Sequence, residues 1–141
     1  MSLRVPLATV PEGAKVTEAV TAMVKSGQGV IGVLREERLV GVFTYHDLAE
    51  RVLMVKRDPE STSIGDVMTK GMHTVPADAS TELAFRKLVE KNVGYLPVVD
   101  DNGRPHGMFE FRSLLLHRLR DVTGQLESII RYFATDSIGG D

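Results

Sequence analysis

The stretch GVFTYHDL at residues 41–48 decides the fold, because a second version of it, GMFEFRSL, occupies residues 107–114. Working outward from these two stretches, residues 9–53 can be laid over residues 74–119, with a register shift of 65 that becomes 66 after one insertion. Two copies with so long a period do not form a solenoid. They predict a duplicated unit that folds as a pseudo-two-fold pair, with a cleft between its halves.

The first copy reads as a mixed α/β unit. Apolar residues recur at helical spacing over residues 16–24 and predict one apolar helix face, formed by Val16, Ala19, Val20, Met23 and Val24. Gly27 and Gly29 end this helix. Residues 30–34 and 39–43 predict two strands joined by a polar turn. Thr44 then begins another helix, which places on one side Leu48, Val52 and Val55.

The second copy repeats this order. A helix from about Ser80 to Lys91 is predicted to bury Ala84, Leu88 and Val89. Strands at 95–99 and near 106–110 flank a turn whose Asn102-Gly103 pair is a strong hairpin signal. We therefore predict an α/β (α+β) fold of two β-α-β-β-α repeats and a long C-terminal helix. The predicted boundaries are 1–56 for repeat one, 57–63 for a linker, 64–122 for repeat two, 123–134 for a helical extension and 135–141 for a tail.

The last helix carries a further apolar pattern. Its apolar residues alternate spacings of four and three, which is a heptad stripe, made of Leu115, Leu119, Val122, Leu126, Ile129 and Phe133. Two interpretations stay open, packing against the chain's own core and self-association. Gly124 interrupts the helix at a cost of about 1 kcal/mol relative to alanine.

Composition excludes several classes of function. The net charge of −2 gives no electrostatic reason for binding nucleic acid or an anionic membrane. The chain has no cysteine, which removes thiol catalysis and cysteine-based zinc sites. No apolar stretch approaches the roughly 18 residues that span a bilayer, and residues 1–15 lack the pattern of a secretory signal. A cytoplasmic location is the default expectation.

Several motifs suggest chemistry without the context that chemistry needs. Residues 27–32 spell G-x-G-x-x-G, but a predicted helix precedes them and a strand follows, which reverses the dinucleotide-binding order. The four histidines show no spacing suited to a metal. Ser113 and His117 lie one helical turn apart without a third residue that orients the histidine. Nothing in the sequence argues for catalysis, so we expect no enzyme.

Residues 41–48 (GVFTYHDL) and 93–103 (VGYLPVVDDNG) together resemble the tandem CBS (cystathionine-β-synthase) repeat, also called a Bateman module. The resemblance covers about residues 5 to 120. It implies a cleft that binds an adenosine-type ligand (AMP, ADP, ATP, NAD or S-adenosylmethionine) and a disc-shaped homodimer. The nucleotide-binding residues it implies are Val42, Thr44, His46, Asp47, Met72, Val93, Gly94, Tyr95, Leu96 and Pro97.

Elementary chemistry agrees with this site. Thr44 is placed to cap a helix whose free N–H groups attract phosphate, and Asp47 is an acceptor for two ribose hydroxyls. The alternative is that Thr44-x-x-Asp47 is only a capping-box variant. His46, Arg51 and Arg112 are further candidates for phosphate contact.

The resemblance also implies two unequal sites. In similar proteins the acid of one repeat works with strands of the other, and the partners of Asp47 fit that pattern. The opposite site has Ser113 in place of the acid, Glu110 in place of a small hydroxyl residue and Gly32 in place of proline. We predict one good nucleotide site and one weak or empty site.

The function predicted from the sequence is a stand-alone regulatory module that binds an adenine nucleotide and signals to an unknown protein partner through a change of repeat or dimer orientation. One alternative is a structural dimerisation module with vestigial clefts. A less favoured alternative is an NAD-dependent enzyme, suggested only by the glycine string.

Overall fold

The computed structural model describes residues 3–139, and the side chains of residues 3–134. Each copy forms one three-stranded sheet with flanking helices. The first copy contains β1 (Thr9–Pro11), α1 (Val16–Ser26), β2 (Val30–Arg35), β3 (Arg38–Thr44) and α2 (Tyr45–Asp47), which continues as a π-helical segment (Leu48–Leu53). A 3₁₀ turn (Ile64–Asp66) precedes the second copy, which contains β4 (Val75–Pro76), α3 (Thr81–Lys91), β5 (Tyr95–Val99), β6 (Pro105–Glu110) and α4 (Phe111–Gly139).

The two sheets have the same topology. In the first, β1 runs parallel to β2, and β2 runs antiparallel to β3. In the second, β4 is parallel to β5 and β5 is antiparallel to β6. The predicted fold class, two β-α-β-β-α repeats and a long C-terminal helix, is confirmed.

Each repeat has its own apolar core. The first is built around Met23, Ile31 and Phe43, and the second around Leu96, Phe109 and Leu114. The prediction that Val89 is buried is wrong, because 53% of its surface is exposed. Val24, predicted to lie on the apolar face of α1, is 70% exposed.

These two valines occupy equivalent positions, so the error has one physical cause in both repeats. A short three-stranded sheet covers only a narrow face of the helix above it, and a residue one place beyond that face is turned by about 100° into solvent. Val55, predicted to be on the apolar side of the following helix, is also exposed.

The segment predicted as a linker caps the first helix. Lys15, at the N-cap position of α1, provides no side-chain hydrogen bond to the helix. Backbone carbonyls replace it, since the N–H of Val16 donates to the oxygen of Thr62 at 3.0 Å and that of Thr17 to the oxygen of Pro59 at 3.2 Å. Free N–H groups at a helix start need such partners, so this segment is part of the folded unit.

The repeats are joined by an exchange of short extended segments. Val5, which precedes β1 in the first repeat, pairs with Met108 of β6 in the second. Thr69, which precedes β4 in the second repeat, pairs with Val42 of β3 in the first, with N···O distances of 2.8 and 3.0 Å. This reciprocal pairing brings the ends of β3 and β6 together at the seam between the repeats.

Helix α4 begins on the second core and then leaves it. Leu114 is buried, while Arg118 forms an ion pair with Glu82 at 3.0 Å and lies 4.7 Å from the ring centre of Phe85. Residues 118–134 are all exposed. Of residues 135–141, predicted as a tail, those up to Gly139 continue the helix, and 140–141 lie outside the described residues.

Among residues 3–139, no helix combines the length and the apolar character that crossing a bilayer requires.

Candidate functional site

A cleft of about 560 Å³ lies between the two repeats. It brings together eight of the ten residues predicted from the sequence, namely Val42, Thr44, His46, Met72, Val93, Gly94, Tyr95 and Pro97. Most of these residues offer apolar surface, and the threonine and histidine side chains add polar groups. This is the usual composition of a site that orients a small molecule with a few polar groups.

Strand register explains why these residues converge. Val30 at the start of β2 is paired with Thr44 at the end of β3, so this edge of the first sheet ends where α2 begins. In the second sheet Tyr95 is paired with Glu110 in the same way. The pseudo-two-fold relation sets the two edges face to face, with the segment around Met72 closing one side.

Sequence reasoning missed five residues that line this cleft, which are Val30, Thr69, Gly71, His73 and Asn92. Two of them could have been found from the internal repeat, because the 65-residue shift relates Val30 to Tyr95 and Asn92 to Gly27. Thr69 gave no local signal, since its place depends on its pairing with Val42.

Asp47 lies behind the cleft wall rather than on it. Only 3% of its surface is exposed. Its Oδ2 atom accepts hydrogen bonds from the backbone N–H and the hydroxyl of Thr44 at 3.0 and 3.1 Å, and its Oδ1 accepts one from the Thr69 hydroxyl at 2.8 Å. Thr44 and Asp47 thus form the capping box that was the alternative interpretation. The carboxylate is therefore hydrogen-bonded without a ligand, while Oδ1, which accepts one hydrogen bond, keeps the capacity to accept another.

Leu96 lies outside the cleft. Its side chain is fully buried in the second core, and side chains alternate between the two faces of a strand. Tyr95 and Pro97, one position away on either side, therefore face the cleft, while Leu96 packs against the helices.

The three candidate phosphate contacts are dispersed. His46 lines the cleft and pairs with Glu50 at 2.5 Å. Arg51 donates a hydrogen bond to the carbonyl oxygen of Met68 at 2.7 Å and lies 3.7 Å from Asp47. Its guanidinium therefore contacts residues behind the cleft. Arg112 lines a different cleft.

This second cleft, of about 370 Å³, is the pseudo-symmetric counterpart of the first and shares Gly94 and Tyr95 with it. The residue that corresponds to Thr44 is Glu110, which lines the cleft with Arg112. The hydroxyl of Ser113 donates to Oε1 of Glu110 at 2.7 Å. Donor and acceptor are therefore exchanged relative to Thr44 and Asp47, and the carboxylate is on the cleft side.

The glycine string has a structural role. Gly27 ends α1 in the left-handed conformation (φ 69°), and β2 follows, so the chain runs from helix to strand. A Cβ atom at Gly29 would lie 2.9 Å from the hydroxyl oxygen of Tyr95, closer than a real side chain can come. The predicted explanation of these glycines, a helix end and a close approach, is confirmed.

Within the described part of the chain, no three histidine, aspartate or glutamate side chains lie together in a way that could hold a metal ion.

Two similar β-α-β-β-α repeats that pack across a shared cleft define a tandem-repeat α/β module. The family model for the CBS domain matches residues 2–54 and 64–120. The chain therefore belongs to the CBS domain family and carries two copies of the domain.

Similar proteins span several contexts. The meiotically up-regulated gene 70 protein of Schizosaccharomyces pombe is 34% identical over 99 residues, which cover 70% of this chain and 14% of that protein. Arabinose 5-phosphate isomerase KdsD of Pseudomonas aeruginosa is 35% identical over 104 residues, which cover 73% of this chain and 32% of the isomerase. The chain thus spans less than half of the length of either curated relative.

Among solved structures, CBSX2 of Arabidopsis thaliana in complex with AMP superposes with a TM-score of 0.70 at 26% identity. The match covers 84% of this chain and 93% of that chain.

Proposed function

We propose that this chain is a regulatory module that binds an adenosine-containing ligand in the cleft between its CBS repeats. The observation that carries the proposal is the convergence of both repeats on one largely apolar cleft, lined also by the hydroxyl residues Thr44 and Thr69, with the carboxylate of Asp47 behind them. The AMP complex of CBSX2, a protein with the same fold, supports this choice of ligand class.

The chemistry of the cleft suits the parts of such a ligand. Val42, Met72 and Pro97 offer apolar surface to a flat base, and Tyr95 offers an aromatic ring. The hydroxyls of Thr44 and Thr69 and the carboxylate of Asp47 suit ribose hydroxyls. His46 and His73, which also line the cleft, are candidates for phosphate contact.

The proposal includes one nucleotide per chain. Glu110 introduces a negative charge into the second cleft at the place where the first has the neutral Thr44. An anionic ligand is repelled by that charge, and the neighbouring Arg112 offsets it only in part.

The proposed output is mechanical rather than catalytic. A ligand that fits the cleft better in one orientation of the repeats shifts the chain towards that orientation, by no more than its difference in affinity for the two. We propose that a homodimer passes this change to a separate regulated protein.

One rival function is favoured by a specific observation. The carboxylate of Asp47 already accepts hydrogen bonds from Thr44 and Thr69, so it needs no ligand to satisfy it. A carboxylate that is satisfied within the chain is what a structural dimerisation module with vestigial clefts would also show. That rival predicts no thermal stabilisation by any adenine nucleotide.

A thermal-shift panel of AMP, ADP, ATP, NAD and S-adenosylmethionine tests the proposal. A ligand at 100 times its dissociation constant adds about 2.7 kcal/mol to the free energy of unfolding, which is readily detected. No shift with any of the five would favour the structural rival.

Substitution of Asp47 by alanine assigns the site. Removing the acceptor leaves ribose hydroxyls unpaired, at about 1–3 kcal/mol, so calorimetry is expected to show roughly ten- to hundredfold weaker binding. Because Asp47 also belongs to a capping box, the matched control is Ser80→Ala, which removes the cap of α3 away from the cleft. That control is expected to lose stability and keep its affinity.

Gly94→Leu provides an independent test of the cleft itself. A Cβ at Gly94 meets nothing within 4 Å, so the fold tolerates it, while the longer side chain fills space in both clefts. Unchanged affinity in both Asp47→Ala and Gly94→Leu would contradict the assignment.

A further inference from the structure

The outer part of α4 is an exposed helix without a partner among the described residues. Every residue from 118 to 134 is exposed, which corresponds to about 25 Å of helix at 1.5 Å per residue. The same helix is firmly seated at its start, where Leu114 is buried and Arg118 pairs with Glu82.

One face of this outer helix is apolar along its whole length. Seven large apolar residues each expose between 52% and 66% of their surface, and they are Leu119, Val122, Leu126, Ile129, Ile130, Tyr132 and Phe133. Five of them occupy the core positions of the heptad pattern, and the other two flank it. Monomeric proteins rarely expose contiguous apolar patches beyond about 300–600 Å².

The charged residues lie on the opposite face. Arg120, Asp121, Glu127 and Arg131 all occupy heptad positions that point away from the stripe. Two side-chain contacts run along this outer face: Nε2 of His117 lies 3.5 Å from a carboxylate oxygen of Asp121, and Arg131 forms an ion pair with Glu127 at 3.7 Å.

The segment is a poor helix by itself. It contains Gly124 and several β-branched residues, which lower helix propensity. Most helices in proteins are stabilised by packing of an apolar face against another element rather than by propensity alone. This apolar face therefore requires another surface to pack against.

We infer that a second copy of this chain covers the stripe, so that the two α4 helices form a two-stranded coiled coil. This deepens the homodimer of the proposed function by naming its surface, and it does not depend on which ligand is bound. A heptad stripe is the pattern that fits another helix, and the stripe of an identical chain has the same spacing.

The flanking positions favour self-pairing. Thr123, Gln125, Ile130 and Tyr132 border the stripe, and none carries a charge. Two identical helices therefore meet without the like-charge repulsion that would discourage a homodimer. Arg118, which also flanks the stripe and is a cation, is already engaged by Glu82 and Phe85.

The charge pattern disfavours a membrane surface as the cover. Helices that lie on anionic membranes are rich in lysine and arginine on the polar face. Here Asp121 and Glu127 balance Arg120 and Arg131. All seven apolar residues of this face expose more than half of their surface, and a second copy would cover them, as the partners of a standard interface cover about 800 Å² of each other.

Sedimentation equilibrium of the full chain tests the inference. The wild-type chain is expected to be a dimer at micromolar concentrations. The variant Leu126→Lys/Ile129→Lys places two like charges in the stripe and is expected to be a monomer. Lysine is a good helix former, so helix propensity is little altered. The matched control, Ser128→Lys/Ala134→Lys, adds the same charge outside the stripe and is expected to remain a dimer.

Three results would overturn the inference. They are a monomeric wild type, a dimer that survives Leu126→Lys/Ile129→Lys, and a monomer that binds anionic vesicles through the stripe. A surviving dimer would point instead to exposed apolar residues on other helices, such as Val24 and Met54. Both variants change residues exposed on α4, so a cooperative thermal unfolding transition, followed by circular dichroism, serves as the check of folding and is read separately from the assembly.

Discussion

Asp100 organises the turn between β5 and β6 with a single carboxylate. Its Oδ1 atom accepts hydrogen bonds from the backbone N–H groups of Asn102 at 2.8 Å and Arg104 at 3.0 Å, while Oδ2 lies 2.8 Å from the Nε2 atom of His106. The hydrogen bond with His106 is the largest cause that lowers the pKa of Asp100 below its ordinary value, and the two backbone N–H groups add to it. All three favour the ionised form.

This carboxylate gives a prediction about pH. Because the pKa of Asp100 is lower in the folded chain, its stabilising effect is present above the unfolded value of about 3.9 and is lost as the pH falls through the folded value. We expect Asp100→Asn to lower the melting temperature at pH 6, and the gap from wild type to close below about pH 4. Thermal unfolding followed by circular dichroism measures this difference in melting temperature at each pH.

Asp101→Asn is the control for this prediction, since Asp101 is exposed on the same turn. It is expected to follow the wild-type profile at every pH. A gap for Asp100→Asn that stays constant down to pH 3 would show that the carboxylate's charge does not stabilise the turn.

Asp47 shows how far single residues could be predicted. Its type and its place after Thr44 were enough to predict a capping box or a ribose contact. The hydrogen bond from Thr69 was not predictable, because the two residues are 22 positions apart and meet only through the pairing of Val42 with Thr69. The spacing of neighbouring residues is enough to predict a helix cap, whereas contacts between the two repeats depend on the tertiary structure.

At the scale of elements, each repeat ends its last strand with a different polar pair. In the first repeat Thr44 is the cap and Asp47 provides the acid, while in the second Glu110 provides the acid and Ser113 the hydroxyl. Both pairs make a local side-chain hydrogen bond at the start of a helix. They differ in where the carboxylate lies: Glu110 lines the second cleft, whereas Asp47 lies behind the wall of the first.

That difference predicts a designed gain of function. Glu110→Thr combined with Ser113→Asp rebuilds the Thr-x-x-Asp pair in the second repeat and removes the repelling charge. Titration calorimetry with the best ligand of the panel is expected to rise from one site per chain to two. The single variant Glu110→Thr removes the charge without adding the acid and is expected to keep one site.

A double variant that folds and still binds one ligand would show that these two residues do not determine the asymmetry. Gly32, which stands where the first site uses Pro97, would then be the next candidate. Its surroundings are crowded, since an added Cβ would lie 3.0 Å from Leu39 and 3.1 Å from Leu7.

The helices and strands were largely predictable, because the same apolar periodicities occur in both repeats. The strand at 95–99 has the predicted bounds, and the other long strands differ by one or two residues at their ends. The exposure of Val24 and Val89 was not predictable, since helical spacing identifies an apolar stripe without telling how much of it the sheet covers. The capping of α1 by Pro59 and Thr62 likewise has no signature in the sequence.

At the scale of the whole molecule, the cleft and the exposed helix are connected through few residues. Gly94 lines both clefts, and its carbonyl oxygen accepts a hydrogen bond of 2.9 Å from the N–H of Phe111, the first residue of α4. The equivalent bond in the first repeat joins Gly29 and Tyr45 at 3.2 Å. A change at the cleft wall therefore acts directly on the base of the helix whose outer part we assign to dimerisation.

Ligand binding in the cleft and dimerisation through α4 are expected to be coupled. A ligand in the cleft restricts Gly94, whose carbonyl oxygen accepts a hydrogen bond from the first residue of α4, and a partner on α4 restricts that same helix. Whichever binds first therefore reduces the ordering cost of the second. We expect saturating ligand to tighten the dimer. Because such coupling is reciprocal, the Leu126→Lys/Ile129→Lys monomer should bind ligand more weakly by the same factor, typically within about 5- to 150-fold. Calorimetry on that variant, on the Ser128→Lys/Ala134→Lys control and on wild type measures the factor. Equal affinities in all three would mean that the clefts and α4 act independently, and that the signal leaves the molecule by another surface.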